Sequence, residues 1–424
     1  MPKLTLPWVD PLKLAEIISQ NHKEDSWAFL YSGLSNEVKN SRSYIALFAN
    51  QTICDNDFFA AQKIIKNSDK KWFGYFSYEV AHDFEKLPKT KKSFINLPKI
   101  WLINFDLILE FNHHNKRLTA VYGDRNNLDK LRFWRLRKAK KTTAKILNIN
   151  SNFSDKSYLK TISDIKEMIA LGDFYQTNLT RKFFGNIKIN DNFQLFKELT
   201  KLSPANYSSF LKLGKNSVIS SSPELFLYSK NSKIISRPIK GTAPRGSNAK
   251  EDIQNKLFLK NSPKERAENL MIVDLVRNDL SRICKAGSVK VKKLFAINSY
   301  KNIHHLSSEI HGEIAPQFCA FDALQSCFAP GSMTGAPKIK AMEIAAKKEG
   351  LNRGIYSGTI GIFAKNEINS AVVIRTLILQ EDKFEFQVGG AITFDSDEKM
   401  ELKEIFNKAK GLMKLLGIRV ETIL

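Results

Sequence analysis

The sequence predicts an α+β fold with large β-sheets. Segments with the 3.6-residue apolar spacing of helices are interspersed with segments rich in β-branched and aromatic residues, without the regular strand–helix–strand spacing of a parallel sheet. The chain has 424 residues, of which 43% are hydrophobic and 26% charged, as in an ordinary globular protein. This length suits one large domain or a few smaller ones.

Short apolar strands separated by loops are expected before about residue 145. The clearest candidates are residues 26–31, 72–78 and 100–111. Residues 148–153 are rich in Asn and Ser and are typical of a connector. A helix should follow, because Tyr158, Ile162 and Ile165 recur on one helical face, and it should end at Gly172.

The second half of the chain predicts further helices and strands. Residues 270–280 form an apolar block that fits either a strand or a buried helix. Residues 339–346 predict a helix. Three β-rich stretches follow, at residues 356–363, 371–379 and 384–394. The last helix should begin near Asp395 and Ser396, which are good N-caps, and run to about residue 416.

The net charge of +23 is the unusual feature of the composition. Residues 116–145 form the densest basic block, with Phe133 and Trp134 among the cations, so a nucleic-acid-binding protein is one interpretation. However, the excess consists of 51 Lys against 15 Arg, whereas phosphate and base recognition favours arginine. A solvated helix face is the better interpretation, and we expect no nucleic-acid partner.

Secreted and membrane-spanning classes are disfavoured. No apolar run approaches the ~18 residues that span a bilayer, and the start of the chain has no apolar signal core. The 4 cysteines form no C-x-x-C pair, which argues against a zinc ribbon or a disulfide framework. We therefore expect a cytoplasmic protein with reduced thiols and no membrane partner.

Three glutamates are candidate ligands for a divalent cation such as Mg2+. Glu401 and Glu404 lie one turn apart on the predicted last helix, on the same face as Lys408. Spacing alone favours a surface Glu404–Lys408 ion pair over a metal site. Glu268 precedes the apolar block at 270–280, where a carboxylate needs a metal or a nearby arginine.

Other polar residues lie in segments shaped by Pro, Gly or Ser. Lys240 can be a nucleophile if its pKa is lowered, although most lysines are simply solvated. Glu224 follows a turn of small residues and suits either a general acid or a turn cap. Arg375, in the β-rich stretch at 371–379, needs a carboxylate from the protein or from a ligand. His305, beside His304, has a structural role by default.

Nine short segments between about residues 150 and 410 form an ordered series. They are GDFYQTNLT (172–180), SPE (222–224), PIKGT (238–242), ENLMIVDLVRNDL (268–280), HLSSE (305–309), PGSMTGAPK (330–338), RGIYSG (353–358), IRT (374–376), and Asp395–Ser396 with Glu401 and Glu404. The series resembles the chorismate-utilising enzymes, the family of anthranilate synthase component I, aminodeoxychorismate synthase component I, isochorismate synthase and salicylate synthase.

The resemblance implies one large chorismate-binding α+β domain, in which two large antiparallel sheets sandwich helices. Residues 1–147 would be a divergent N-terminal part of that domain, and residues 148–424 its catalytic part. Mg2+ is the implied cofactor and chorismate the implied substrate.

Roles for individual residues are also implied by the resemblance. Lys240 matches the lysine that attacks ring carbon C2, and Glu224 matches the acid that protonates the departing C4 hydroxyl. Glu268 and Glu404 match direct metal ligands, and Glu401 matches a ligand acting through water. The positions that match substrate contacts are Gly241, Thr242, His305, Ser332, Tyr356, Arg375, Gly389, Gly390, Ala391 and Lys408.

Two positions discriminate within the family. Anthranilate synthases have Ala at the position of Lys240, and isochorismate and salicylate synthases have a water-activating lysine at the position of Gln176. The resemblance thus implies amination of chorismate at C4 to 4-amino-4-deoxychorismate, a precursor of 4-aminobenzoate and folate. Anthranilate synthesis is the nearest alternative. Ala243, Ala391 and Phe394 depart from the family pattern and leave the pocket shape open.

The source of ammonia is expected to be a separate protein. The sequence contains no candidate Cys–His nucleophile segment of a glutaminase. We therefore expect a glutamine amidotransferase subunit as the partner.

Overall fold

The computed structural model describes residues 4–22, 26–34, 41–123, 125–132, 144–301 and 303–418. Phe133, Trp134 and much of the basic block expected at residues 116–145 lie outside these ranges.

The secondary structure consists of strands and helices in irregular alternation. The described strands are β1 (Leu4–Leu6), β2 (Trp27–Tyr31), β3 (Arg42–Asp55), β4 (Trp72–Phe76), β5 (Ile100–Asn112), β6 (Arg117–Tyr122), β7 (Ala144–Ile146), β8 (Asn150–Ser151), β9 (Gln176–Ile189), β10 (Tyr207–Leu213), β11 (Asn216–Ser222), β12 (Leu225–Lys230), β13 (Lys233–Arg237), β14 (Ile239–Pro244), β15 (Lys290–Ser299), β16 (Ile303–Glu313), β17 (Gly335–Ala336), β18 (Thr359–Ala364), β19 (Glu367–Val372), β20 (Thr376–Gln380) and β21 (Lys383–Ile392). The described α-helices are α1 (Pro11–Asn21), α2 (Phe58–Lys66), α3 (Arg125–Arg132), α4 (Asp155–Ala170), α5 (Asn192–Leu202), α6 (Ala249–Asn261), α7 (Pro263–Ser281), α8 (Ala320–Cys327), α9 (Lys338–Glu349) and α10 (Glu398–Leu416). Short 3-10 turns span Tyr78–Asp83 and Gly331–Met333.

The named strands pair antiparallel and form two wings that share the long strand β5. From one edge of β5, the first wing continues through β3, β2, β10, β11, β20, β21 and β9. From the other edge, the second wing continues through β4, β18, β19, β12, β13 and β16, with β14 and β15 on the two sides of β16. The first wing joins strands from before residue 32 to strands from after residue 370.

Neighbouring residues of a strand enter different cores, because side chains alternate across a sheet. In β3, Ile45 and Leu47 pack in a core that includes α1, α4, α5 and α10, whereas Ala46 packs in a core whose described members belong to no helix. That helix-free core contains residues of both wings, such as Val218 and Ile362. The two sheets therefore meet face to face.

The α+β class, the single domain and the large antiparallel sheets are confirmed. Helices pack on a face of each wing: α1, α4, α5 and α10 on the first, and α2, α7 and α8 on the second. The reason is that these strands are apolar on both faces, whereas each helix buries only one stripe. No described helix is both long and apolar enough to cross a membrane.

Several predicted elements differ in their bounds. Residues 270–280 belong to helix α7, which settles the ambiguous block. Helix α10 is capped by Asp397, whose side chain accepts from the N–H of Met400, so it begins slightly later than expected. The stretch at 371–379 is interrupted between β19 and β20, and Arg375 in this gap has a φ of 51°. The prediction that Arg375 lies within a strand is therefore wrong; the chain turns there.

Candidate active site

Four parts of the fold bring most of the predicted residues together. Strand β14 carries Lys240, helix α7 carries Glu268, helix α10 carries Glu401 and Glu404, and the turn between β11 and β12 carries Glu224. These residues are far apart in sequence, and each is at least partly covered by protein. The contacts below connect them.

Lys240 lies against helix α7. Its Nζ is 3.9 Å from Glu268 Oε2, and both side chains are 11% exposed. This distance is within ion-pair range but too long for a hydrogen bond. The next residue, Gly241, has a φ of 80°, and a Cβ there would lie 2.8 Å from Glu265 Oε2. A glycine is therefore needed for β14 to approach α7 this closely.

Glu224 is a buried carboxyl with a perturbed pKa. Burial raises its pKa to about 7, although the Ser332 hydroxyl, the charge of Lys240 and the backbone N–H of Ile239 all favour the ionised form. It lines a small cavity together with Ser332, Pro238 and Asp279. A carboxyl group that is about half protonated at neutral pH can donate a proton to a leaving group.

Carboxylates of α7 and α10 face one another. Burial raises the pKa of Glu401, and the charge of Glu404 raises it further. The hydrogen bond that Ser396 Oγ donates to Glu401 Oε1 at 2.8 Å acts in the opposite direction. Burial also raises the pKa of Glu265, and the charges of Glu268 and Glu404 raise it further. Such mutual repulsion is relieved by a divalent cation, so this oxygen-rich donor set fits Mg2+.

Glu265 was missed in the sequence analysis. It lies three residues before Glu268, and that helical spacing would have indicated it once residues 270–280 were known to be helical. Its place beside Gly241 is a tertiary feature.

Lysine side chains partly neutralise these carboxylates. Lys264 Nζ lies 3.3 Å from Glu401 Oε1, and Lys408 Nζ lies 2.6 Å from Glu404 Oε1. Burial alone would raise the pKa of Glu404, but the charges of Lys408, Lys264 and Lys240 outweigh it and lower this pKa. Across the described ranges, no three His, Cys, Asp or Glu side chains converge as a preformed metal site. Metal binding would therefore require these side chains to rearrange.

The glycine-rich end of β21 approaches the same glutamates. Gly389, Gly390 and Ala391 pair with Thr180, Leu179 and Asn178 of β9. A Cβ at Gly390 would lie 3.2 Å from Glu401 Oε2, and Lys408 Nζ donates to the Gly389 carbonyl at 2.9 Å. The backbone of β21 therefore lies close to the carboxylate of Glu401, and a side chain at position 390 would crowd it.

His305 and Arg375 are polar groups with few protein partners. His305 is 3% exposed, and neither ring nitrogen has a hydrogen-bond partner among the described residues. Burial, and then the charge of Arg375, lowers its pKa to about 3, so its imidazole is neutral. Arg375 Nη1 lies 3.4 Å from Ser203 Oγ, and no carboxylate in the described part of the chain pairs with it. An anionic ligand would satisfy both side chains.

The remaining predicted contacts differ in position. Ser332 lies in the 3-10 turn Gly331–Met333 and lines the same cavity as Glu224. Tyr356 is buried in a turn before β18, and burial raises the pKa of its hydroxyl. Thr242 pairs with His305 across β14 and β16, but it is exposed. Gln176 is buried at the start of β9, and its Oε1 has no described partner.

Comparison with known proteins gives a consistent result. A profile of the family described as chorismate binding enzyme matches residues 19–414. The chain is 36% identical over 348 residues to aminodeoxychorismate synthase component 1 of Escherichia coli (strain K12), covering 81% of this chain and 76% of the relative. It is 38% identical over 283 residues to anthranilate synthase component 1 of Synechocystis, covering 64% and 56%.

Solved structures show the same similarity. Anthranilate synthase component I from Streptococcus pneumoniae aligns with a TM-score of 0.79 and 25% identity, covering 88% of this chain and 92% of that one. The menaquinone-specific isochorismate synthase of Escherichia coli aligns with a TM-score of 0.78 at 16% identity, covering 98% and 94%, which supports the fold alone.

Proposed function

The chain belongs to the chorismate binding enzyme family, and within it we propose that the protein aminates chorismate at C4 to form 4-amino-4-deoxychorismate. The observation that carries this proposal is the position of Lys240. Its amine is covered by protein, 3.9 Å from Glu268, and its charge acts on the buried carboxyl of Glu224. A nucleophile and an acid are therefore near one another.

In the first step, the ammonium of Lys240 gives up a proton to the medium, and its amine then forms a bond to ring carbon C2. The ring double bonds shift, and the bond from C4 to its hydroxyl breaks. Glu224 donates its proton to the departing hydroxyl, which leaves as water. A pKa of about 7 supplies this proton at neutral pH without requiring an external acid.

In the second step, ammonia forms a bond to C4. The double bonds shift back, the bond from C2 to Lys240 breaks, and the amine of Lys240 is released. A proton of the attacking ammonia passes to a base, for which the carboxylate of Glu224 left by the first step is suited. The two displacements leave the enzyme unchanged and retain the configuration at C4.

We propose Mg2+ as the cofactor, held by Glu268 and Glu404 with Glu401 and Glu265 nearby. Bound there, it would supply positive charge that neutralises the ring carboxylate of chorismate. The α7 and α10 carboxylates themselves repel one another, so they hold a cation more readily than a second anion.

The chain offers separate groups for the enolpyruvyl carboxylate. Arg375 has no carboxylate partner among the described residues. Its charge acts on His305 and helps to keep that imidazole neutral. Tyr356 and the backbone of Gly389, Gly390 and Ala391 supply further donors, with Gly241, Thr242, Ser332 and Lys408 at the remaining proposed contacts.

We further propose that ammonia comes from a separate glutamine amidotransferase subunit. The relatives are named as component 1, which implies a second component in those proteins. A second candidate activity, anthranilate synthesis, is favoured by the similarity to the Synechocystis relative. Lys240 argues against it, because amination at C2 needs that carbon unoccupied.

The test is a product assay. The purified chain would be mixed with chorismate, Mg2+ and an ammonium salt at mildly alkaline pH, and the products would be identified by mass spectrometry. We expect 4-amino-4-deoxychorismate. Anthranilate or isochorismate would overturn the assignment of Lys240 or Gln176. If no product forms even with an added glutaminase subunit, the proposed activity is wrong.

A further inference from the structure

Arg353 is a fully partnered cation inside the protein, and the proposed chemistry does not use it. Its side chain is 2% exposed, and its guanidinium lies 4.7 Å from the ring centre of Tyr78. Nε and Nη2 donate to Glu349 at 2.9 and 2.7 Å. Burial opposes the charge of Arg353, but the charge of Glu349 outweighs this effect and raises the pKa of Arg353, so the guanidinium stays charged.

The Arg353–Glu349 pair bonds to backbone groups of β9 between the segments that pair with β17 and β8. The free edge of β9 is covered by β17 at residues 176–177 and by β8 at residues 183–184. Between them, Arg353 Nη2 donates to the Asn178 carbonyl at 2.7 Å, and the Thr180 N–H donates to Glu349 Oε1 at 2.9 Å. Side chains therefore satisfy backbone groups that a strand would otherwise pair.

The same guanidinium reaches the turn that carries Ser332. Arg353 Nη1 donates to the Met333 carbonyl at 2.8 Å, and the next carbonyl of this turn, Thr334, accepts from the Asn178 N–H at 2.7 Å. Two successive carbonyls thus connect this turn to β9: that of Met333 through Arg353, and that of Thr334 directly. Ser332 precedes this peptide; it lines the same cavity as Glu224, and its hydroxyl favours the ionised form of that carboxyl.

We propose that Arg353 is a positioning residue: through the Met333 carbonyl it holds the turn that presents the Ser332 hydroxyl to Glu224. A catalytic effect of Arg353 rests on the proposed function. The connection of Arg353 to the turn and to β9 rests only on the hydrogen bonds. Nothing else in the described chain joins Glu349, Asn178 and Met333 through one side chain.

Arg353→Lys is the direct test. A lysine keeps the charge beside Glu349, but the three donors of one ammonium cannot reproduce the planar fork, which reaches acceptor atoms of Glu349, Asn178, Met333 and Ser357. We expect kcat to fall about 10²-fold with KM changed little, because a small displacement of the acid penalises the transition state more than binding. Arg181→Met is the matched control, since Arg181 is also buried but bonds to Ser151 and Asp155 instead. It should lower stability without lowering kcat.

A second readout needs no turnover. The pH dependence of unfolding would be compared between each protein and its Glu224→Gln counterpart, which isolates the titration of Glu224. Displacement of the Ser332 hydroxyl from Glu224 should move this titration upward by up to about one pH unit, since this hydroxyl favours the ionised carboxylate. Lys240, Lys408 and Tyr356 also act on Glu224, and Asp279 shares its cavity, so they remain unchanged in every variant.

The double-mutant cycle decides the result. Ser332→Ala should produce the same upward shift as Arg353→Lys, and adding Arg353→Lys to Ser332→Ala should produce no further shift. If Arg353→Lys leaves the titration in place while Ser332→Ala moves it, the inference is overturned. If Arg353→Lys does not fold, Glu349→Gln replaces it in the same cycle. Absence of aminated product from the unaltered protein would reject the proposed function alone.

Discussion

Two lysines in this protein pair with a glutamate under cover of the fold, and they differ in how completely they are bonded. Lys182 Nζ donates to Glu385 Oε1 at 2.6 Å, to Ser93 Oγ at 2.8 Å and to the Asn352 carbonyl at 2.9 Å. Lys240 Nζ contacts only Glu268 within the described ranges, at 3.9 Å. The exposed fractions are 1% and 3% for the first pair and 11% for each member of the second.

The difference separates a structural lysine, Lys182, from the proposed nucleophile, Lys240. An ammonium has three donors, and Lys182 uses all of them, so any movement of this side chain would break a satisfied network. Lys240 leaves donors unused beside a second buried acid, Glu224. Bonding, and not burial by itself, therefore indicates which lysine is available for chemistry.

The largest expected effect comes from Lys240→Ala. Removal of the nucleophile should lower C4 amination by roughly four orders of magnitude, by analogy with other nucleophile deletions. The melting temperature should change little, because the lost ion pair is long and partly exposed. Product formation and thermal unfolding would be measured on the same preparation. Full retention of the rate would remove the covalent lysine from the mechanism.

Lys182→Met should show the opposite pattern. It leaves Glu385 buried without its cation, which should cost about 3–5 kcal/mol of folding free energy. Turnover per folded molecule should stay near that of the unaltered protein. Chemical denaturation and active-site-normalised kinetics would test this. If turnover per folded molecule falls as far as in Lys240→Ala, the distinction between the two lysines is lost.

Glu224→Gln should lower the rate by about two to three orders of magnitude, because the amide cannot donate the required proton. Its effect on stability depends on pH. A carboxyl whose pKa is raised from 4.5 to about 7 binds more protons in the folded state, so stability falls as pH rises through this window. The variant should therefore gain up to about 3 kcal/mol relative to the unaltered protein between pH 4 and pH 8. Equal pH profiles would contradict a titrating Glu224.

The smallest of these effects is expected from Glu404→Gln. Loss of one carboxylate should weaken the apparent Mg2+ affinity by about tenfold or more. Glu198 and Lys201 form an exposed i,i+3 pair on α5, and Glu198→Gln there is the matched control. Activity would be titrated with Mg2+ for both variants. An unchanged titration in Glu404→Gln would show that Glu404 is only a partner of Lys408.

The sequence predicted much of this architecture through local patterns. Tyr158, Ile162 and Ile165 face one core from α4, as their spacing required, and Gly172 follows that helix with a φ of 84°. The ordered motifs also indicated the residue types that the site contains. Their proposed roles depend on the resemblance and await the experiments above.

Other features depended on contacts between distant segments. Residues 270–280 could be helix or strand by periodicity, and packing of α7 against β16 and α8 decided for helix. An apolar face of a single strand does not reveal which sheet it will pack against, so local patterns do not predict the order of the layers.

By itself, the sequence determined the α+β class, the apolar face of helix α4 and the chemical groups at hand, because these follow from neighbours within a few residues. Only the tertiary structure decided that Glu265 joins the carboxylates, that Arg375 lies in a turn, and that Arg353 links β9 to the turn of Ser332. The physical reason is that desolvation, charge coupling and edge pairing arise between segments that only the fold brings together.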